Sequence, residues 1–227
     1  MAKQQCVTHG PGHRDLASSD YLSNTEELRI GGLKVQSAKP RLGTEMRVLG
    51  IDPGLNTTGY GVLDFAHVGE SAAAESHSRP PRRTRLRVPQ LVEAGVVRAK
   101  SGGTLAERVQ EIHDGVADVI ASLKPEVLAI EELYTHYDRP TTAILMGHAR
   151  GVIVLAAAQG GIEVVSYRAT QIKKTITGNG HAAKWQMQEA IRRELNLPTV
   201  PEPPDVADAL AIALCHAYLT RHHADVD

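Results

Sequence analysis

The chain has few of the features that mark secreted, membrane or strongly charged proteins. Cys6 and Cys215 are its only cysteines, too few for a disulfide framework or a thiolate metal site. Residues 1–45 lack the apolar core of a signal peptide, and the most apolar stretch, residues 151–158, is far too short to span a bilayer. We therefore expect a soluble protein in the reducing cytoplasm, with no membrane partner.

The chain also lacks a charge of one dominant sign. It has 25 Lys and Arg against 26 Asp and Glu, a net charge of -1, so bulk electrostatics favours no nucleic-acid partner. Residues 168–193 are an exception, because Glu189 is the one acid in this segment and the basic residues outnumber it. The basic residues of this segment are Arg168, Lys173, Lys174, Lys184, Arg192 and Arg193. The segment is therefore locally cationic although the protein is not.

Length and composition indicate one main domain with appendages. Residues 46–221 carry the periodic apolar patterns, and residues 222–227 form a short tail. Residues 1–45 have no sustained period, which predicts a disordered extension; an upstream start codon chosen in error for a protein that begins at Met46 would look the same. Residues 66–88 are an Arg-rich loop inserted between strands, either a solvated loop of variable length or a phosphate-contacting arm.

The pattern of apolar residues predicts a mixed sheet flanked by helices. Thr104 and Glu107 have the spacing of a capping box and open an amphipathic helix that Pro125 stops. A short polar helix follows the last strand. The predicted strands are residues 47–52, 60–65, 91–97, 127–130 and 163–167, and the longer helices are residues 105–123, 143–158, 181–195 and 205–219.

Two of these strands end on a carboxylate. Asp52 and Glu131 each follow a wholly apolar run, where a charge is costly unless it is paired or holds a metal. Asp205 and Asp208, three residues apart, project from one face at the start of the last helix. Alone this pair is typical of first-turn caps. Together with Asp52 and Glu131, it makes a set of oxygen ligands that suits Mg²⁺.

Five motifs carry a resemblance to a known family. They are GIDPGLNTTGYG at 50–61, AIEELY at 129–134, GHARG at 147–151, YRATQIKKTITGNGHAAKWQM at 167–187 and DVADALAIALCHAY at 205–218. In this order they resemble the RuvC-type Holliday junction resolvases, over nearly all of residues 46–219. The resemblance implies an α/β, RNase H-like fold with a five-stranded mixed sheet.

The resemblance also implies an activity and its requirements. We expect an endodeoxyribonuclease that cuts two symmetrically placed strands of a four-way DNA junction in recombination and repair. It would act as a homodimer through the apolar helix at 143–158, with two Mg²⁺ ions per site, for which Mn²⁺ can substitute, and leave a 5'-phosphate and a 3'-hydroxyl. A branch-migration motor complex of the RuvA and RuvB type is the implied partner.

By motif, the family's functional residues fall on seven positions of this chain. The metal-binding catalytic acids would be Asp52, Glu131, Asp205 and Asp208. The DNA-binding residues would be Lys173, Lys184 and Tyr134, with Tyr137 as an alternative to Tyr134. His216 matches a histidine of the family's final helix, but a helix histidine is more often a surface or core residue, so it stays outside the predicted metal ligands.

Two other functions fit part of the pattern. A strand, an Asp-x-Gly and a glycine-bearing hairpin also cradle nucleotide phosphate in phosphotransferases of the actin and sugar-kinase type. Such folds need a second phosphate loop and a longer chain. A junction-binding scaffold without catalysis is the other alternative, and the presence of all four acids argues against it.

Overall fold

The computed structural model describes residues 25–27, 44–66, 89–133 and 140–224. Within these ranges it contains a mixed six-stranded sheet and five helices. The strands are β1 (Thr25–Glu27), β2 (Thr44–Asp52), β3 (Thr57–Ala66), β4 (Gln90–Arg98), β5 (Val127–Glu131) and β6 (Glu163–Tyr167). The helices are α1 (Leu105–Leu123), α2 (Pro140–Gln159), α3 (Ala169–Thr177), α4 (Lys184–Glu194) and α5 (Pro204–Ala224).

The sheet has the order β1-β4-β3-β2-β5-β6. β1, β4, β3 and β2 pair antiparallel, whereas β2, β5 and β6 run parallel. The five predicted strands are all present and form the predicted mixed sheet with flanking helices. Their order places β2, which ends on Asp52, between an antiparallel and a parallel neighbour.

The N-terminal extension contributes one element that the sequence did not predict. Thr25–Glu27 pairs with β4 as a short edge strand, and β2 begins at Thr44. Residues 25–27 and 44–45 of the extension therefore lie in strands. The rest of that extension, residues 67–88 of the Arg-rich insertion and residues 225–227 of the tail lie outside the described residues.

The helices form one layer on each face of the sheet. One core lies between the sheet and helices α1 and α2, and includes Leu49, Ile51 and Ile153. The other lies between the sheet and helices α3, α4 and α5, and includes Val48 and Ala129. Successive strand residues point to opposite faces, so each strand of the parallel centre contributes to both cores.

Local signals in the sequence account for the start of α1. The backbone N–H of Glu107 donates to Thr104 Oγ1 over 3.3 Å, and the N–H of Thr104 donates to Glu107 Oε2 over 2.7 Å. The predicted capping box is therefore present. It satisfies two donors at a helix end that have no partner within the helix.

A buried ion pair joins the start of β2 to β3. Arg47 and Asp64 are ladder partners, and the Arg47 guanidinium donates to both oxygens of Asp64, over 2.6 and 2.9 Å. A third guanidinium N–H donates to the carbonyl of Leu123 at the end of α1, over 2.6 Å. Both charged side chains are only 9% exposed, so the bidentate geometry is what makes their burial tolerable. The pair fixes β2 in register at the end remote from Asp52.

Candidate active site

Asp52 and Glu131 lie side by side at one edge of the sheet. β2 and β5 are parallel neighbours, with Ile51 opposite Ile130, and each strand ends at the next residue. Neighbouring strands are about 4.8 Å apart. The two strand-end carboxylates of the sequence analysis are therefore in adjacent positions.

Both carboxylates face the same layer of helices. Asp52 follows Val48 at an interval of four residues, and Glu131 follows Ala129 at an interval of two, so each shares the face of its apolar predecessor. Val48 and Ala129 both belong to the core beneath α5. Asp52 and Glu131 therefore point toward α5.

Helix α5 can lie close to β2 and β3 because glycines line its path. Gly59 is the ladder partner of Asp52, and a Cβ added to it would lie 2.1 Å from the carbonyl oxygen of Asp205. A Cβ on Gly50 would lie 2.1 Å from the carbonyl oxygen of Ala209. Real Cβ atoms do not approach a carbonyl oxygen so closely, so any other residue would push the helix away. These glycines bring the first turn of α5, with Asp205, directly over Asp52.

The glycines that follow Asp52 serve different purposes in the fold. Gly54 does lie in the turn, but Gly59 and Gly61 lie inside β3. A Cβ on Gly61 would come within 2.5 Å of Leu210 Cδ2 on α5. Gly59 and Gly61 mainly allow α5 to pack closely on β3. This contact joins distant parts of the chain, so no local pattern specifies it.

The electrostatics of Asp52 shows that the four acids share one neighbourhood. Burial raises the pKa of Asp52 to about 7, with further upward contributions from the negative charges of Asp208, Glu131 and Asp205 and an opposing effect of Lys184. Burial and the charge of Asp208 also raise the pKa of Glu131, against the effect of Lys173. The predicted acids and both predicted lysines are thus within electrostatic reach of one another.

The set of donors fits a hard divalent cation. Four carboxylates offer the oxygen ligands that Mg²⁺ and Mn²⁺ prefer, and a cation would remove the repulsion that raises the pKa of Asp52. In the described ranges, however, no three acidic, histidine or cysteine side chains stand close enough together to hold a metal ion as they are. Carboxylates repel one another without a cation, so a bound ion would have to draw these side chains together.

The two lysines approach the acids from neighbouring helices. Lys184, the first residue of α4, places its Nζ 3.3 Å from Asp208 Oδ2. Lys173 lies on α3, on the side of Glu131. Tyr134, the third predicted DNA contact, and its alternative Tyr137 lie outside the described residues.

His216 lies in the protein core. Its side chain is 4% exposed, and its Nδ1 is 2.8 Å from the Tyr167 hydroxyl. Burial lowers the pKa of His216, which favours a neutral ring. The sequence left open whether His216 is a surface or a core residue, and the structure shows that it is a core residue.

Arg150 is a residue near the acids that the sequence reasoning missed. From α2 its Nε donates to the backbone carbonyl of Glu131 over 3.3 Å, and its Nη2 donates to Ser166 Oγ on β6 over 2.7 Å. These bonds hold the ends of β5 and β6 together where Glu131 leaves the sheet. The signal in the sequence was a lone arginine in an otherwise apolar helical pattern.

Replacing Asp52 with Asn should stabilise the metal-free protein in a pH-dependent way. The unfolded chain loses the Asp52 proton near pH 3.8 and the folded protein near pH 7. Between these values the folded state binds more protons, so wild-type stability falls as pH rises. We expect the free energy of unfolding of Asp52→Asn to exceed that of wild type by on the order of 3 kcal/mol at pH 8. Below pH 4 the two proteins should be almost equally stable.

Urea unfolding in EDTA at several pH values measures this difference. Glu132→Gln, which removes an exposed acid next to Glu131, is the matched control and should show no comparable gain. A gain for Asp52→Asn that is the same at acid and alkaline pH would contradict the described origin of the Asp52 pKa.

Comparison with known proteins agrees with this geometry. The family model described as "Crossover junction endodeoxyribonuclease RuvC" matches residues 83–216, a range that includes Glu131, Asp205 and Asp208 and begins after Asp52. A curated relative of that name from Rhodopirellula baltica is 49% identical over 194 residues, 86% of this chain and 97% of the relative. Another, from Pelotomaculum thermopropionicum, is 40% identical over 174 residues, 76% of this chain and 93% of the relative.

Solved structures give the same result. RuvC from Thermus thermophilus has a TM-score of 0.64 and 35% sequence identity, covering 78% of this chain and 97% of that one. A structure of T. thermophilus RuvC in complex with Holliday junction substrate has a TM-score of 0.65 and 33% identity, covering 79% and 97%. The predicted RNase H-like fold is confirmed. With its family model, relatives and fold in agreement, the chain belongs to the crossover junction endodeoxyribonuclease RuvC family.

Proposed function

We propose that this protein resolves four-way DNA junctions by paired, symmetric hydrolysis of phosphodiester bonds in recombination and repair. The observation that carries the proposal is the convergence of Asp52 and Glu131, at adjacent strand ends, with the aspartate-bearing first turn of α5. Its substrate is supported by the RuvC relative solved in complex with Holliday junction substrate. Each cut would leave a 5'-phosphate on one fragment and a 3'-hydroxyl on the other.

The acids would hold two Mg²⁺ ions, or Mn²⁺ in their place. Divalent ions bound there would neutralise the phosphodiester and promote attack by water in line with the leaving oxygen. Asp52 and Glu131 are fixed by the sheet, and Asp205 and Asp208 by α5, so the ligands come from rigid elements. A bound cation would oppose the burial and repulsion that raise the pKa values of Asp52 and Glu131. Because metal binding requires the carboxylates without their protons, cation affinity should rise with pH.

The lysines would act on the DNA phosphates. Lys184 pairs with Asp208 at 3.3 Å, and a cation on that carboxylate would weaken the pair and free the ammonium. Lys173 lies near Glu131 on α3. Each can then neutralise a phosphate oxygen and the charge that develops during cleavage. Tyr134 is proposed to stack on a base near the cut strand.

Paired cuts need two active sites, and α2 offers a surface for a symmetric dimer. Ile144 and Leu155 lie three turns apart on one side of α2 and are 63% and 49% exposed. Gly151 lies on the same side, and no atom of the described residues is within 4 Å of the Cβ it would carry. A glycine in a helix costs about 1 kcal/mol, and packing against the described part of the chain does not require this one. Its presence fits close approach by a second copy of α2.

From the sequence, residues 151–158 are too short to span a bilayer, but the whole helix, over Thr141–Gln159, has the length and composition of a membrane span. Its other side packs on α1 through Ala149, Ile153 and Ala157, which are fully buried. Arg150 bonds to β5 and β6 from within the same helix. A helix that packs on one side and is tied into the sheet fits a subunit interface of a soluble protein. We therefore propose a cytoplasmic dimer. By its family, its partner would be a branch-migration motor of the RuvA and RuvB type.

The alternative functions lose their support. The phosphotransferase reading depended on glycines free to cradle phosphate, whereas Gly59 and Gly61 lie in β3 beneath α5. A scaffold without catalysis would have no need to keep Asp52 buried and surrounded by other acids. The nuclease proposal uses both features.

Asp52→Asn and Glu131→Gln should bind a mobile four-way junction but cut it at least about a hundredfold more slowly in Mg²⁺, because each removes a proposed cation ligand. Glu132→Gln, the neighbouring exposed acid, should cut like wild type. Binding is followed with labelled junction in EDTA and cleavage by mapping nicks on all four strands. Cleavage by Asp52→Asn at the wild-type rate, or loss of cleavage in Glu132→Gln, would contradict the assignment.

Leu155→Lys should disrupt the dimer, because it places a charge in the proposed apolar interface. We expect a monomer in analytical ultracentrifugation and single, uncoupled nicks in a supercoiled cruciform substrate. Leu105→Lys changes an exposed leucine of α1 and should remain dimeric. A wild-type protein that is monomeric while it makes paired cuts would refute the interface.

A further inference from the structure

The most exposed of the large apolar side chains in the described part of the protein is Trp185, at 68%. It is also the only tryptophan in the chain. Tyr60 in β3, another large aromatic side chain, is by contrast only 1% exposed. A tryptophan left in water has a large apolar surface available for a partner.

The position of Trp185 is fixed by its neighbours on α4. Met187 and Ile191 are buried and define the side of α4 that faces the core. Lys184 lies near that side and reaches Asp208, with 3.3 Å between Nζ and Oδ2. Because successive helix residues are rotated by about 100°, Trp185 points outward from the helix directly beside the lysine. The indole is therefore exposed to solvent next to the lysine that pairs with Asp208.

The surroundings of Trp185 suit a polyanion. Glu189 lies one turn further along the helix, and its carboxylate accepts hydrogen bonds from Arg192 over 2.8 Å and from Arg193 over 2.7 Å. These hydrogen bonds hold the pKa of Glu189 low, at about 2, so the three side chains together carry a net positive charge. With Lys184 on its other side, the indole lies between cationic groups.

The proposed dimer does not account for this exposure. Helix α2 packs on the core shared with α1, whereas α4 packs on the opposite face of the sheet with α5. A second copy docked on α2 therefore meets a different layer of the protein. Trp185 remains available to a ligand on the side of the acids.

We propose that Trp185 stacks on a base exposed at the branch point of junction DNA, and so contributes to selection of branched over linear DNA. The inference rests on the proposed function. An indole recognises the face of a base rather than a phosphate, and in continuous duplex those faces are covered by neighbouring base pairs. Only a distorted or unpaired base offers one. Trp185 is thus a specificity-determining contact on α4, separate from the one proposed for Tyr134.

The single tryptophan makes the contact directly measurable. Intrinsic fluorescence of the wild-type protein in EDTA should be strongly quenched by a four-way junction and much less by linear duplex of the same length. Trp185→Ala should bind junction about fivefold to a hundredfold more weakly, with little change for duplex. Trp185→Phe, which keeps an aromatic face, should recover most of the loss.

Leu105→Ala is the matched control, because it removes an exposed apolar side chain from the other face of the sheet. Its junction affinity, measured with labelled DNA, should equal that of wild type. Junction binding without a change in Trp185 emission, or equal losses on junction and duplex in Trp185→Ala, would overturn the stacking contact and leave the resolvase proposal intact. If the wild-type protein shows no preference for labelled junction over duplex, both proposals fall.

Discussion

The close packing of α5 on the central strands is the constraint on which the proposed site depends. Gly50 and Gly59 leave no room for a Cβ beneath the backbone of Asp205 and Ala209. Gly59 is also the ladder partner of Asp52. The close contact between Gly59 and Asp205 therefore brings Asp52 and Asp205, which are far apart in the sequence, beside each other. Glu131 joins them through the parallel register of β5. The site is therefore a consequence of how closely one helix can approach one sheet.

This arrangement has an energetic cost that the function explains. Burial and neighbouring acids raise the pKa of Asp52 to about 7. Without a bound cation, the folded protein therefore disfavours the ionised form of Asp52. Other charges in the fold are neutralised within the chain, as in the bidentate pair of Arg47 and Asp64. The contrast between a charge that the protein pairs and one that it leaves among like charges is typical of functional sites.

Much of the fold could be predicted from the sequence because its signals are local. β6 has the predicted limits, and the α1 capping box of Thr104 and Glu107 is present. The acids were found because a charge at the end of an apolar strand is unusual, and the family motifs named the same residues. The glycine contacts with α5, the Arg47–Asp64 pair and the bonds of Arg150 join segments far apart in the chain. No local pattern specifies such contacts, and β1 is likewise too short to leave a periodic signal.

The central claim is that the strand-end acids and the first turn of α5 form one divalent-cation site. Anomalous diffraction from crystals soaked in Mn²⁺ tests it most directly. The account predicts two peaks about 4 Å apart, with carboxylate oxygens of Asp52, Glu131 and the two α5 aspartates within roughly 2 Å of the ions. Mn²⁺ bound elsewhere, or bound equally well in crystals of Asp52→Asn, would contradict it.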